Sequence, residues 1–222
     1  MPRIVLIHAT PVAMAPVREV FAADWPEAEV ADLLDETLTL DRARSAEETP
    51  ELICRIRSLA DHARGAGADA ILYTCSAFGV GIGRVARDFP IPVLKPNEAM
   101  FDAALAAGRR IAMIYTFAPA AAGMEAEFRE AAAAAGADAE LVSVLAPGAM
   151  DALRAGDRAT HDRIVAETAA GLAGIDVIML AHFSTAPAQS AVSRVTDVPV
   201  LTSPASAVAR LRALLGAEVR SC

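Results

Sequence analysis

The chain repeats itself. "RIVLIHATP" beginning at Arg3 is matched by "RIAMIYTFA" beginning at Arg110, and "GADAILYTCSA" at Gly67 by "GIDVIMLAHFS" at Gly174. "PVL" at Pro92 returns at Pro199. These three pairs share one spacing, 107 residues, whereas "EAEVADLL" at Glu27 and "DAELVSVL" at Asp138 stand 111 apart. A short insertion is therefore made and later removed. A repeat on this scale restricts the chain to two copies of one supersecondary layout.

Each copy alternates short apolar runs with longer helical patterns. Strands are expected at 3–8, 29–34, 70–74 and 91–94, and again at 110–115, 139–145, 176–181 and 198–201. Continuous apolar strands separated by helices indicate βαβ units with parallel sheets. Leu52, Ile56, Leu59 and Ala63 show the helical spacing, and Ser203-Pro204 has the chemistry of a helix start. The expected fold class is α/β: two pseudo-symmetric, doubly wound, parallel four-stranded units. The first spans residues 1–97 and is completed by a C-terminal helix at 203–222; the second spans 98–202.

Composition narrows the function. The 222 residues are 55% hydrophobic and carry a net charge of −8 without Lys/Arg runs, which argues against nucleic acid as a partner. The apolar start "RIVLI" is too short for a signal-peptide core, and no later stretch is long enough to span a membrane. A cytoplasmic location is expected. Three cysteines make no disulfide framework. The sequence has no CxxC, HExxH, G-x-S-x-G or P-loop motif, and "GVGIGR" at Gly79 puts Arg84 where a dinucleotide fingerprint needs glycine.

The repeat pairs chemically active residues. Cys75 is the positional twin of His182, and His8 that of Tyr115, all at the carboxyl ends of expected strands. Ligands of open parallel sheets bind beyond those ends, near the switch point. If the two units face each other, Cys75 and His182 approach one cleft. A thiol at a strand-to-helix turn is expected to have a lowered pKa, and the amides from Ser76 onward are expected to hold a carboxylate. Against this stands a packed cysteine with a histidine bonded to a loop.

His8 and Tyr115 could bind a carboxylate, tune their neighbours or be structural. Thr10, Thr116, Ser184 and Thr185 offer hydroxyls that could also cap helices. Zinc on Cys75, His8 and His182 is chemically possible, but no metal is expected. Lys95, His62 and His161 are read as solvated, Asp35 and Glu36 as capping residues, and Cys54 and Cys222 as without a role.

The duplicated unit, Cys75 after "GADAILYT", and "LAHFSTA" in the mirrored position resemble the Asp/Glu racemase superfamily. That group includes aspartate, glutamate and hydantoin racemases, maleate isomerase and arylmalonate decarboxylase. The resemblance implies two α/β lobes, an active site between them and no cofactor. In its racemases two cysteines flank the α-carbon, one removing the proton and the other returning it. Here Cys75 matches the first cysteine and His182 replaces the second. Ser76-Ala77 stand where amino-acid racemases carry Asn-Thr, and His8-Ala9-Thr10 replace Asp-Ser-Gly.

The expected function is a cofactor-independent racemase or isomerase acting next to the carboxylate of a small organic acid. Cys75 and His182 are the expected catalytic residues. His8, Thr10, Ser76, Ala77, Tyr115, Thr116, Phe183 and Ser184 are the expected substrate contacts. The alternatives are a decarboxylase with a single protonating thiol and a non-catalytic, two-lobed binding protein. The expected partner is a small-molecule carboxylate, with a homo-oligomer left open.

Overall fold

The computed structural model describes residues 1–45 and 47–218, so the last four residues of the expected C-terminal helix lie outside it. The chain divides into two units, Met1–Pro96 with the C-terminal segment from Ala207, and Asn97–Ser206. Each carries one four-stranded, all-parallel sheet with flanking helices.

In the first unit the strands are β1 (Arg3–His8), β2 (Glu29–Leu34), β3 (Ala70–Tyr73) and β4 (Val93–Leu94), in the order β2-β1-β3-β4. The helices are α1 (Met14–Asp24), α2 (Thr37–Arg42), α3 (Pro50–Gly65) and α4 (Gly79–Asp88). The second unit opens with α5 (Glu98–Ala107) and contains β5 (Arg110–Tyr115), β6 (Glu140–Leu145), β7 (Val177–Leu180) and β8 (Val200–Thr202). Its order is β6-β5-β7-β8. Between these strands lie α6 (Ala121–Ala135), α7 (Ala149–Arg154), α8 (Arg158–Ala170) and α9 (Gln189–Val192). The last helix, α10, runs Ser203–Glu218, and its Arg212 donates to the Asp24 carbonyl at the end of α1.

The central strands are dry on both faces. Ile4, Val5, Leu6 and Ile7 of β1 are buried, as are Ile111 to Ile114 of β5 and all of β3 and β7. In α3, Pro50 sits in the first turn, the Thr49 hydroxyl accepts from the Leu52 amide, and Leu52, Ile56 and Ala60 form the buried stripe. The run expected at 91–94 yields only a two-residue strand. Pro92 has no N–H to donate, and its carbonyl alone joins the ladder, accepting from Ile71 at 2.9 Å. Pro199 does the same for Ile178 at 2.9 Å.

The amino ends of the two sheets are closed by the same latch. The Asp69 carboxylate accepts from the Arg3 amide at 2.7 Å, and that of Asp176 from the Arg110 amide at 2.8 Å. Arg3 pairs with Glu29 on the adjacent strand and Arg110 with Glu140. Each guanidinium also reaches a carbonyl in the turn before the third strand, Ala66 for Arg3 and Gly174 for Arg110. That turn needs a glycine with φ of +81° at Gly67 and +64° at Gly174. A β-carbon on Gly174 would stand 2.8 Å from the Arg110 guanidinium. Gly174→Ala is therefore expected to cost about 1–2 kcal/mol, from left-handed strain and the displaced arginine. Urea unfolding of the variant beside the parent measures this.

Candidate active site

The carboxyl ends of β1 and β3 meet at the switch point of the first sheet. Ile7 is opposite Tyr73, so the next residues, His8 and Thr74, stand at one level. The Thr74 amide donates to the Ile7 carbonyl at 3.0 Å, and its hydroxyl lies 2.8 Å from His8 Nδ1. His8 Nε2 is 3.0 Å from Asp32 Oδ1, and Asp32 Oδ2 accepts from Arg18 Nη2 at 2.6 Å and Nε at 2.9 Å. Asp32 is held below the usual carboxylate range by bonds from Arg18 and His8, which outweigh its partial burial. It can only accept, so His8 Nε2 carries the hydrogen. Burial lowers the His8 pKa and keeps the ring neutral at neutral pH, so Nδ1 accepts from the Thr74 hydroxyl. Both ring nitrogens of this fully buried histidine are thus engaged by the protein rather than left for a substrate.

Cys75 follows immediately, in ordinary extended backbone, and leads into a 3-10 turn, Ser76–Phe78, before α4. Its side chain is partly accessible yet densely surrounded by protein atoms. The expected lowering of its pKa is not found. Burial pushes the thiol up, outweighing the Ala77 amide and the Arg42 guanidinium, which both favour the thiolate. Arg42 is fixed over this turn by donating to the Ala77 carbonyl at 3.1 Å.

The amides expected to hold a carboxylate are partly occupied. Glu48 places Oε1 2.9 Å from the Val80 amide and Oε2 2.8 Å from that of Gly81, at the start of α4. A β-carbon on residue 81 would lie 2.6 Å from Ile56 Cδ1 and 2.9 Å from Glu48 Oε2, so any larger residue there displaces one of these side-chain ends. Ser76 and Ala77 are half-buried within the turn, and Thr10 precedes another 3-10 turn without capping it. Asp35 accepts from the Thr37 amide and hydroxyl just before α2 and pairs with Arg55, whereas Glu36, at the cap position itself, makes no capping bond with its side chain.

In the second unit Tyr115 ends β5 half-buried, and Ala181 and His182 follow β7. His182 has φ 73° and ψ 142°, the only positive φ of a non-glycine residue among the described residues. Holding a β-branched or bulky residue there costs about 1–3 kcal/mol, and such strain concentrates at functional positions. Its Nε2 is buried without a hydrogen-bond partner, and burial lowers the pKa to about 4. A turn at Phe183–Ala188 follows, in which Phe183, Ser184 and Thr185 are all buried. The Thr116 hydroxyl lies 3.3 Å from that of Thr185.

His161, expected to be solvated, is fully buried in α8, with Nδ1 2.7 Å from Asp162 Oδ1 and Nε2 unpartnered. Arg158 and Arg163 near it in sequence are exposed, while its own helical position faces in. His62 is exposed as expected, whereas Lys95 is half-buried and lies along Gly83. Among the described residues no three His, Cys, Asp or Glu side chains gather to hold a metal, and no helix is long and apolar enough to cross a membrane.

The sequence profile of the Asp/Glu/hydantoin racemase family matches residues 17–211. The chain belongs to this family. Solved structures share its fold at low identity. Bacillus anthracis glutamate racemase is 14% identical with a TM-score of 0.73, over 98% of this chain and 82% of its own. Picrophilus torridus aspartate racemase is 13% identical with a TM-score of 0.69, over 92% and 90%. Allantoin racemase from Pseudomonas fluorescens is 16% identical with a TM-score of 0.65, over 96% and 92%. A comparison with individually curated proteins found no match.

Two measurements check these electrostatics. In a Cys54→Ser/Cys222→Ser background, alkylation of Cys75 by iodoacetamide should be slow at pH 7 and rise with a midpoint above the ordinary thiol value of 9.0. The His182 ring should titrate by NMR near pH 4. Its folded pKa lies below the unfolded value of 6.5, so the unfolded chain binds the extra proton first. Stability from this group is full above pH 6.5 and falls as pH drops toward 4, a slope that His182→Gln should flatten in thermal unfolding.

Proposed function

We propose that this protein is a cofactor-independent racemase or isomerase acting at the carbon next to the carboxylate of a small organic acid. The observation that carries the reading is positional: the end of the third strand bears Cys75 in one copy and His182 in the other. Burial biases each toward its neutral form, thiol and imidazole. Membership of a racemase family supports the reaction class.

A neutral thiol and a neutral imidazole suffice for the chemistry that this reading assigns to them. The imidazole lone pair takes the α-proton, and the C–H electrons move into the carboxylate to give an enediolate. The Cys75 thiol then gives its proton to the carbon, keeping the S–H electrons as thiolate. The pair ends as imidazolium and thiolate, and passage of one proton from ring to sulfur through solvent restores it. The opposite enantiomer uses the ionic form, so the two directions start from different protonation states. General acid–base steps of this kind contribute about 10²- to 10⁴-fold each.

The presence of one thiol rather than two favours decarboxylation as the second reading. Loss of carbon dioxide from a malonate leaves the same enediolate, and a single thiol suffices to protonate it. Small dicarboxylates, hydantoins and arylmalonates incubated in heavy water separate the two. Racemisation gives deuterium at the α-carbon with loss of optical purity and no gas; decarboxylation gives one labelled enantiomer and carbon dioxide. Cys75→Ala should lower turnover about 10²- to 10⁴-fold. Unchanged turnover in that variant, or binding of these acids without any exchange, overturns the proposal.

A further inference from the structure

The chain Arg18–Asp32–His8–Thr74, which runs from the surface to a fully buried histidine, is more polar structure than the fold requires. The second unit shows this, because it repeats the same sheet without it. Tyr115 stands at the place of His8, Ala181 at that of Thr74 and Glu125 at that of Arg18. Ser143 lies opposite Met113 as Asp32 lies opposite Leu6, and its buried hydroxyl has no partner. The amino-end latch is kept in both copies, while this chain is present in one. Its last member is the residue before Cys75.

We propose that Arg18, Asp32, His8 and Thr74 act as a positioning chain that fixes the loop carrying the Cys75 thiol, an inference that rests on the catalytic reading of Cys75. Arg18 neutralises Asp32 and orients it with two donors. Asp32 holds the His8 tautomer through Nε2, which leaves Nδ1 as the acceptor for the Thr74 hydroxyl. Thr74 is then fixed twice, by its amide on Ile7 and its hydroxyl on His8. Cys75 leaves from a rigid backbone, packed against the first unit's core. The His8–Thr74 link is buried and the Asp32–His8 link half-buried, where an unmatched partner is costly, so this inner part of the chain has one arrangement, and Arg18 closes it from the exposed end.

The test needs no substrate. In the Cys54→Ser/Cys222→Ser background, Thr74→Val removes the hydroxyl with little change of shape, and His8→Gln keeps a donor for Asp32 but loses the acceptor for Thr74. Both should alkylate at Cys75 about five- to tenfold faster at pH 7, with the rate profile moved toward ordinary thiol behaviour. His8→Asn, which keeps an acceptor near Thr74, should lie closer to the parent. Tyr73→Phe is the control: it removes the 2.6 Å bond to the Ile56 carbonyl from the same strand and should lower the melting temperature without changing alkylation. Unchanged rates in Thr74→Val and His8→Gln, or an equal rise in Tyr73→Phe, overturn the inference. With any acid the parent turns over, Thr74→Val should lower kcat about tenfold or more at constant KM. A parent without turnover whose variants still alkylate faster refutes the catalytic reading and leaves the positioning chain standing.

Discussion

A parallel strand packed on both faces has no place for a polar side chain except its ends, and β1, β3, β5 and β7 are packed in this way. Polar chemistry is therefore driven to two rims in each unit. At the amino rim, the arginine, aspartate, glutamate and glycine of the latch satisfy the strand termini, and both copies use the same residue types. At the carboxyl rim nothing in the ladder dictates the residue, and the copies diverge: His8 against Tyr115, Thr74 against Ala181, Cys75 against His182. Divergence where the backbone is indifferent, beside retention where it is not, separates function from folding in this chain.

Much of this architecture is legible in the sequence because it follows from local pattern. β1, β2 and β5 run over the residues their apolar runs mark out, and α10 starts at Ser203 as its Ser-Pro pair demands. Strand ends shift where proline withholds a donor. The partners of His8 were not legible. Asp32 sits within "EVADLL" as the second of two carboxylates in a strand, and only the register, which sets it opposite Leu6, brings it diagonally beside His8. Arg18 and Glu48 are unremarkable helix and loop charges until the fold places them. The burial of His161 is hidden in the sequence because neighbours along a helix point to different faces.

The electrostatics of the thiol reversed for a related reason. Sequence places Cys75 at a strand-to-helix turn, where amides stabilise a thiolate. It does not reveal that a carboxylate from the α2–α3 connection takes the first amides of α4, or that the partly accessible thiol is packed against the first unit's core. Desolvation then outweighs the Ala77 amide and Arg42. The same effect, acting on an imidazole in the other copy, has the opposite sign on pKa and the same result on charge.

The left-handed backbone at His182 means that the two copies differ in their main chain as well as in their side chains. Cys75 departs from its strand with φ −121°, its twin with φ 73°, so their Cα–Cβ bonds leave the main chain in different local frames. A cysteine written into position 182 would inherit the histidine's frame. A matched pair of thiols thus requires a different turn, and with it a different sequence after β7, because the asymmetry of this chain is held in torsion angles as much as in chemistry.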